Sequence, residues 1–572
     1  VVLVLVIVFF GPSFILDKLK AIHQTLFKPI IGRWNTTVAE NRQPFFTEWS
    51  GSFGPFIAGI PIFFWSFILG SVVLFKKMLN KIQRKDSIIL TSTYIFFLFG
   101  LIFSRYSGAG LFNGENFISK AFYYISAIIF IGSLAYYIYK DYEEGASNFK
   151  RIPYNYILLL MLFVFTLFTV RGAVRLIMVL GPIASILVSY LVVETIYKFK
   201  KMPSENTNKM FMGILVALLL IGCIFTFSSF YKTSKNQAYN MVPSYYNQQW
   251  QKAMSWVRNE TPADSVFAHW WDYGYWVQSI GDRATVSDGG NFIVYWNYLM
   301  GRHVLTGDNQ KDSLEFLYAH DANYLLIDSS DIGKYTAFSS IGSDENFDRF
   351  GWIPTFTSDP NEISETKNGV MRIYRGGSTI DEDISYNLNG TEIFLPSGRA
   401  GLAGILIETE ENGKGIISFK QPEGVFVYNG QQIKIPLRYI DFEGQFNDFG
   451  NGLDATVKIV QNVYQKNTGL ELDVQGAVIF ISPRLMKGYF AQKYLLNDPF
   501  SNFPNFKIAH IENNVIIDGL NAQGANLNEF VYYSGLGIIG PIKIWEIAYT
   551  GKEELREEFL DRDSSKYLDW RL

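Results

Sequence analysis

Five consecutive residues, Trp270-Trp271-Asp272-Tyr273-Gly274, put two indoles, a carboxylate, a phenol and a glycine directly after Ser265-Val266-Phe267-Ala268-His269, and Tyr275-Trp276 follow at once. A core strand has room for the indoles, but a carboxylate directly after them needs a partner. One reading is an aromatic strand-to-helix corner without a ligand. The sharper one is a small pocket whose Asp and indole N–H groups face a polar ligand. His269 is read as structural. The signatures of zinc hydrolases, serine hydrolases and phosphate-binding Gly-rich loops are missing from the sequence.

The run resembles the WWDYG signature of the catalytic subunit family of oligosaccharyltransferases, membrane enzymes that move a lipid-linked glycan onto the Asn of Asn-X-Ser/Thr. The resemblance implies that Trp270, Trp271 and Asp272 hold the Ser or Thr hydroxyl two residues after the acceptor Asn, with Tyr273 beside the peptide and Gly274 supporting the motif. The chemistry agrees: a hydroxyl offers one donor and two lone pairs, Asp272 takes the donor, and indoles can only donate. Such a pocket rejects residues lacking the hydroxyl by several orders of magnitude.

Three further stretches carry the resemblance. Thr37-Val38-Ala39-Glu40 matches the family's S/T-x-x-E motif in an external loop that closes over acceptor and metal, which implies a catalytic and metal-binding Glu40; by itself a lone loop Glu is a solvated charge. Arg171 and Arg175 lie in VRGAVRLIMVLGP, like the family's Arg-Leu-Met-rich helix, and the match makes Arg175 the candidate for the lipid phosphate. Arginine suits a phosphate because its planar fork makes two parallel bonds and keeps its charge. Asp331-x-x-Lys334 matches the DxxK motif beside the pocket, which implies that Lys334 serves the acceptor peptide with Asp331 in support; spacing alone is equally that of a helical ion pair. Where the family has Met or Ile this chain has Phe338, leaving open which apolar residue meets a Thr methyl. The implied cofactor is Mg²⁺ or Mn²⁺, bound by oxygen ligands.

The elements that must position these groups follow from the apolar pattern. The chain has 572 residues, 48% hydrophobic and 17% aromatic, yet its composition is split: apolar runs dominate up to about 230, and the remainder is mixed and Gly-rich. A net charge of -3 provides no basic field for nucleic acid. The single Cys223 excludes a disulfide framework and a cysteine metal site. VVLVLVIVFF at the start is too short to span a bilayer and is read as the tail of a membrane helix, so the chain is expected to be a C-terminal fragment. Six runs follow, at about 53–76, 87–104, 120–139, 154–170, 174–197 and 211–230. Basic residues fill the connections around 76–85, 140–151 and 198–209, which places those inside the cell and leaves 17–52, 105–119, the turn at Arg171 and everything after 230 outside. The first external loop opens with an amphipathic stripe, Leu16, Leu19, His23, Leu26 and Ile30. The hairpin around RYSGAGLFNGEN is an addition to the family layout without an assigned role.

After Tyr231, strands at Val266–Ala268, Ala284–Val286 and Tyr324–Ile327 alternate with a helix at Asp312–Ala319, the pattern of a mixed α/β domain with its site at a strand's C-terminal end. From about 380, Gly-punctuated strands predict an all-β accessory unit, with a helix over Ser482–Leu496 and a late strand at Ile542–Ala548. The expected fold is thus a multi-pass α-helical membrane domain (1–230), an external mixed α/β domain (231–380) and a β-rich region (381–572). Asp381-Glu382-Asp383 and Asp561-Arg562-Asp563 read as solvated acids.

The reading as a whole is a glycosyltransferase of archaeal-like type in the cell membrane, with its catalytic domain outside. Its partners are a dolichyl phosphate- or diphosphate-linked oligosaccharide, an acceptor peptide with Asn-X-Ser/Thr, and membrane lipids. Relatives complete their metal site with earlier carboxylates, so this chain alone is expected to be inactive. The alternatives are another lipid-sugar transferase, such as a protein O-mannosyltransferase, and a non-enzymatic anchored ectodomain. Sequons at Asn35, Asn259 and Asn389 all fall on the expected outer side.

Overall fold

The computed structural model describes residues 42–203, 207–241, 246–358, 362–367, 369–388, 390–412, 415–466 and 469–562. Glu40, Asn35 and Asn389, and with them the loop motif and two sequons, lie outside the described residues. The chain divides into a helical unit reaching Val242 and a second unit from Pro243.

In the helical unit a short helix α1 (Phe46–Ser52) is followed by α2 (Ile62–Met78), α3 (Arg84–Phe103), α4 (Phe117–Glu143), α5 (Tyr154–Gly172), α6 (Ile177–Lys201) and α7 (Thr207–Asn240). Among the described residues, five helices are long and apolar enough to cross a membrane: 84–103, 117–143, 154–172, 174–201 and 208–240. The first expected run, 53–76, is helical only from Ile62 and counts 17 residues, at the lower limit for a span. Pro55, Gly59 (φ 79°) and Pro61 precede it, and a proline inside a helix would remove a backbone donor. Two ion pairs cross between helices at the end where α2 finishes and α3 begins: Lys77 Nζ with Glu194 Oε1 at 2.8 Å, and Lys140 Nζ with Asp86 Oδ2 at 3.0 Å. At the opposite end the 104–116 connection folds back on itself, Tyr106 N–H donating to Phe112 O at 2.7 Å.

The second unit begins with α8 (Gln248–Glu260) and then β1 (Val266–Ala268), from which the chain turns into α9 (Gly274–Ser279). β2 (Ala284–Thr285) and β3 (Ala322–Ile327) both pair in parallel with β1. Between them run α10 (Val294–Leu299) and α11 (Gln310–Ala319), and α12 (Asp331–Gly342) follows β3. The larger sheet contains strands at 355–358, 369–379, 401–412, 423–428, 431–442, 453–466 and 469–481, and the parallel pairing of 431–442 with 453–466 closes these seven into a barrel. Phe356, Tyr374, Leu402, Ile405, Phe426 and Ile435 fill it.

Two expectations about the β-rich half need correction. A break at residue 380 does not separate the sheets, because 355–358 and 369–379 belong to the barrel. Late strands at 506–512 and 542–547 in turn complete the mixed sheet, Lys543–Glu546 lying antiparallel to Tyr324–Ile327. The helix expected over Ser482–Leu496 is two separate turns, 485–487 and 490–495, because Gly488 between them is extended (ψ 152°).

Candidate functional site

Parallel pairing of β1 with β3 brings two chain segments to the same sheet end: Trp270–Gly274 leaves β1, and Asp328–Lys334 leaves β3. Trp270 is still extended (ψ 139°), residues 271–273 make a 3₁₀ turn, and Gly274 enters α9. The glycine is required by space: a Cβ there would sit 2.5 Å from Asp288 Cα and 2.7 Å from Ser287 O.

At the centre of the site stands Lys334. Its Nζ lies 2.9 Å from Asp272 Oδ2, donates to the Tyr273 hydroxyl at 2.9 Å and sits 4.4 Å from that ring's centroid, while Asp331 Oδ1 is 3.9 Å away. The DxxK pair is therefore not a simple i,i+3 bridge, since its lysine is closer to the WWDYG run. Tyr273 donates to Asp331 Oδ1 at 2.6 Å and is 2.9 Å from Ser330 Oγ. Ser330 donates both its N–H and its hydroxyl to Asp328 Oδ2, at 3.1 and 2.6 Å.

Burial decides the protonation here. It pushes the Asp331 carboxyl up to about 7, partly opposed by the Lys334 charge. Asp328 and Tyr273 are raised for the same reason. Burial also holds His269 down at about 4, so it is neutral at pH 7. Its Nδ1 is 2.7 Å from the Trp270 carbonyl and must carry the proton, because a carbonyl only accepts.

Accessibility separates the two indoles. Trp271 and Asp272 are partly exposed, whereas Trp270 is 2% exposed and packs edge-on against Phe338, centroids 5.7 Å apart. Trp270, expected beside Trp271 at the hydroxyl, thus has most of its ring packed into the core. Phe338 is fully buried among Trp270, Tyr335 and Phe490. It is not placed to meet an acceptor side chain.

Trp270, Trp271, Asp272, Tyr273, Gly274, Asp331 and Lys334 thus come together as one site. Ser330 and Asp328 join them, a link that the spacing of polar residues alone did not single out. Arg175 belongs to the helical unit, exposed on the turn 174–176. There, among the described residues, it is the charged residue of a cleft of about 830 Å³ lined otherwise by groups such as Phe53, Phe63, Met178, Phe230 and Gln237. Among the described residues no three His, Cys, Asp or Glu side chains converge as a metal site.

No family model matches the chain. Over 210 residues it is 24% identical to dolichyl-phosphooligosaccharide-protein glycotransferase 1 of Pyrococcus furiosus, covering 36% of this chain and 21% of that protein. Over 243 residues it is 26% identical to dolichyl-diphosphooligosaccharide–protein glycosyltransferase subunit STT3 of Dictyostelium discoideum, covering 38% and 32%. The chain is similar to catalytic subunits of oligosaccharyltransferases. It matches only about a fifth to a third of the length of these oligosaccharyltransferase relatives. A solved archaeal oligosaccharyltransferase from Archaeoglobus fulgidus, in complex with an inhibitory peptide and a dolichol-phosphate, is 13% identical with a TM-score of 0.29, covering 58% of this chain and 50% of that one; the likeness is too slight to carry structural argument.

Proposed function

We propose that this chain takes part in N-glycosylation, transferring an oligosaccharide from a dolichyl phosphate- or diphosphate-linked donor to the Asn of Asn-X-Ser/Thr, and that the 270–274 and 328–334 segments read the acceptor. The observation that carries the reading is the Asp272–Lys334 pair at the joined ends of two parallel strands. A carboxylate has two oxygens, and this pair engages Oδ2. Asp272 takes the proton of the Ser or Thr hydroxyl, and Trp271 offers its indole N–H to the oxygen. Lys334 keeps the carboxylate aimed, itself braced by Tyr273 and Asp331.

In the reaction the acceptor amide nitrogen forms a bond to the first sugar carbon as the bond to the lipid phosphate oxygen breaks, and the amide proton leaves to base. Arg175 is the residue proposed to receive the leaving phosphate, in a cleft where it is the charged side chain among the described lining residues. A divalent cation, Mg²⁺ or Mn²⁺, would stabilise that charge. Glu40 is the matched ligand, and the described residues contribute no further cluster toward one. The second unit is proposed to lie on the outer side of the cell membrane.

The test is a transfer assay in membranes carrying the full-length protein, with Asn-X-Thr, Asn-X-Ser and Asn-X-Ala peptides and a lipid-linked glycan. Transfer to the first two and not to the third supports the reading. Equal transfer to all three, or none to any, rejects it.

A further inference from the structure

Two arginines of the helical unit are nearly closed off from solvent, Arg105 at 7% and Arg171 at 5% exposure, and both reach the same residue, Gln43, itself 6% exposed. Arg171 Nη1 donates to Gln43 Oε1 at 3.0 Å and its Nη2 to Ser104 Oγ at 3.4 Å. Arg105 Nε donates to the Gln43 carbonyl at 3.2 Å. Backbone bonds extend the seam on both sides: Val174 N–H to Arg42 O at 2.9 Å, and Phe46 N–H to Arg105 O at 3.2 Å. The Arg105 guanidinium lies 4.3 Å from the Phe45 ring centroid, and Phe46 stacks on Tyr106 at 5.4 Å and 12°.

This arrangement is costly for a merely structural join. Arg105 has a carboxylate partner, Glu115, at 3.3 Å. Among the described residues Arg171 has none: its contacts are neutral Gln43 and Ser104 and the Tyr123 ring at 5.8 Å, and its Nε has no partner. A buried charge without a counter-charge weakens the fold relative to an apolar side chain of the same size. What the guanidinium provides in return is direction, since its fork fixes two acceptors at once.

We infer that Arg105 and Arg171 clamp Gln43, fixing the point at which the chain leaves the loop that carries Glu40, and that the 104–116 connection supplies one half of the clamp. The inference rests on the proposed role of Glu40. Glu40 precedes Gln43 by three residues, so their Cα atoms are separated by at most about 11 Å of chain. Arg105, Arg171 and Gln43 are positioning residues; none need touch substrate.

The test compares Gln43→Leu and Gln43→Glu with wild type in the full-length protein, measuring KM for acceptor peptide, half-saturating Mn²⁺, KM for lipid-linked donor, and hydrogen–deuterium exchange over residues 42–46. Gln43→Leu should raise the peptide KM and the Mn²⁺ requirement about tenfold, as for one lost bond to a charged donor, leave the donor KM unchanged, and speed exchange. Gln43→Glu should restore all of these, because its carboxylate still accepts from Arg171. A Gln43→Leu enzyme with unchanged KM values and only less folded protein would reduce the clamp to a structural seam and overturn the inference. If wild type itself transfers no glycan, the glycosylation reading fails; exchange then decides the clamp, which falls if wild-type residues 42–46 are as unprotected as those of Gln43→Leu.

Discussion

The Lys334 ammonium lies 2.9 Å from Asp272 Oδ2, and the two side chains are 31% and 27% exposed. A pair this accessible adds at most about 1 kcal/mol to stability. Its consequence is orientation. Lys334 is in turn fixed by the Tyr273 hydroxyl, which a buried Asp331 holds from the other side, so the carboxylate is aimed by a chain of contacts reaching into the core.

Asp272→Ala should therefore separate function from stability. The lost charge-assisted bond to the acceptor hydroxyl corresponds to about 1.5–3 kcal/mol, a drop in kcat/KM for an Asn-X-Thr peptide of about 10- to 150-fold or more. Thermal unfolding should change by about 1 kcal/mol or less. A variant that unfolds early while its surviving fraction processes peptide normally would place Asp272 in the fold and not in the site.

Lys334→Met should move a titration. The Lys334 charge opposes the burial that raises Asp331 to about 7, so removing it sends that carboxyl higher. Carboxyl-carbon NMR of the Asp331 side chain, or the pH profile of peptide binding, should show the midpoint shifted upward, and Lys334→Arg should keep it near the wild-type position. A midpoint unmoved in Lys334→Met would mean that the lysine does not act on Asp331.

How much of this was legible in the residues follows from the range over which each feature is decided. The 270–274 cluster was readable because a carboxylate next to two indoles needs a local partner, and Asp331-x-x-Lys334 because both members lie on one helical turn. Phe338 was not, since its role depends on Trp270 and Phe490, far away in the chain. The boundary at 380 was misplaced for a similar reason: alternation marks a strand but not its partner, and here residues 543–546 pair with 324–327. Arg171 was given no role by its place in VRGAVRLIMVLGP; only packing shows it buried against Gln43. The loop with Glu40 lies outside the described residues, and its role stands on the resemblance.

Opposing proton linkages should appear in the second unit. Burial holds His269, His303 and His320 at about 4, while each returns to about 6.5 on unfolding, so the stability they allow above 6.5 is lost as pH falls towards 4. Asp331 (about 7) and Asp381 (about 6) are raised, so the stability they give below about 4 is lost as pH rises to those values. The wild-type profile mixes both slopes; a variant difference does not. His320→Gln, whose amide still reaches the Phe559 carbonyl that His320 Nε2 meets at 3.1 Å, should flatten acid destabilisation by about 1.4 kcal/mol per pH unit between 6.5 and 4. Parallel denaturation midpoints for the two proteins from pH 7 to 4.5 would exclude His320.

The Asn259 sequon should remain unmodified in the folded protein. Asn259 is exposed at the end of α8, but Thr261 is buried, its hydroxyl donating to Val257 O at 2.6 Å and accepting from Arg283 Nε at 3.0 Å. A sequon reader needs that hydroxyl. Peptide mapping by mass spectrometry should find Asn259 bare, and a glycan there would show that modification precedes folding of α8.

Gly274→Ala should damage the site from behind. The added methyl would meet Asp288 Cα at 2.5 Å and Ser287 O at 2.7 Å, so backbone must move. On one side the strain reaches Asp288, whose Oδ2 accepts from Gln278 at 2.8 Å; on the other it reaches the 271–273 turn that presents Asp272. Overpacking of this kind costs about 1–3 kcal/mol, and a displaced turn should loosen the 2.9 Å Asp272–Lys334 contact as well. The expected result is a lower Tm together with a raised KM for the acceptor peptide. Gly333→Ala is the control, because a Cβ there meets nothing within 4 Å although the residue adjoins Lys334, and it should leave both quantities near wild type. Equal behaviour of the two variants would show that the close approach at Gly274 does not position the pocket.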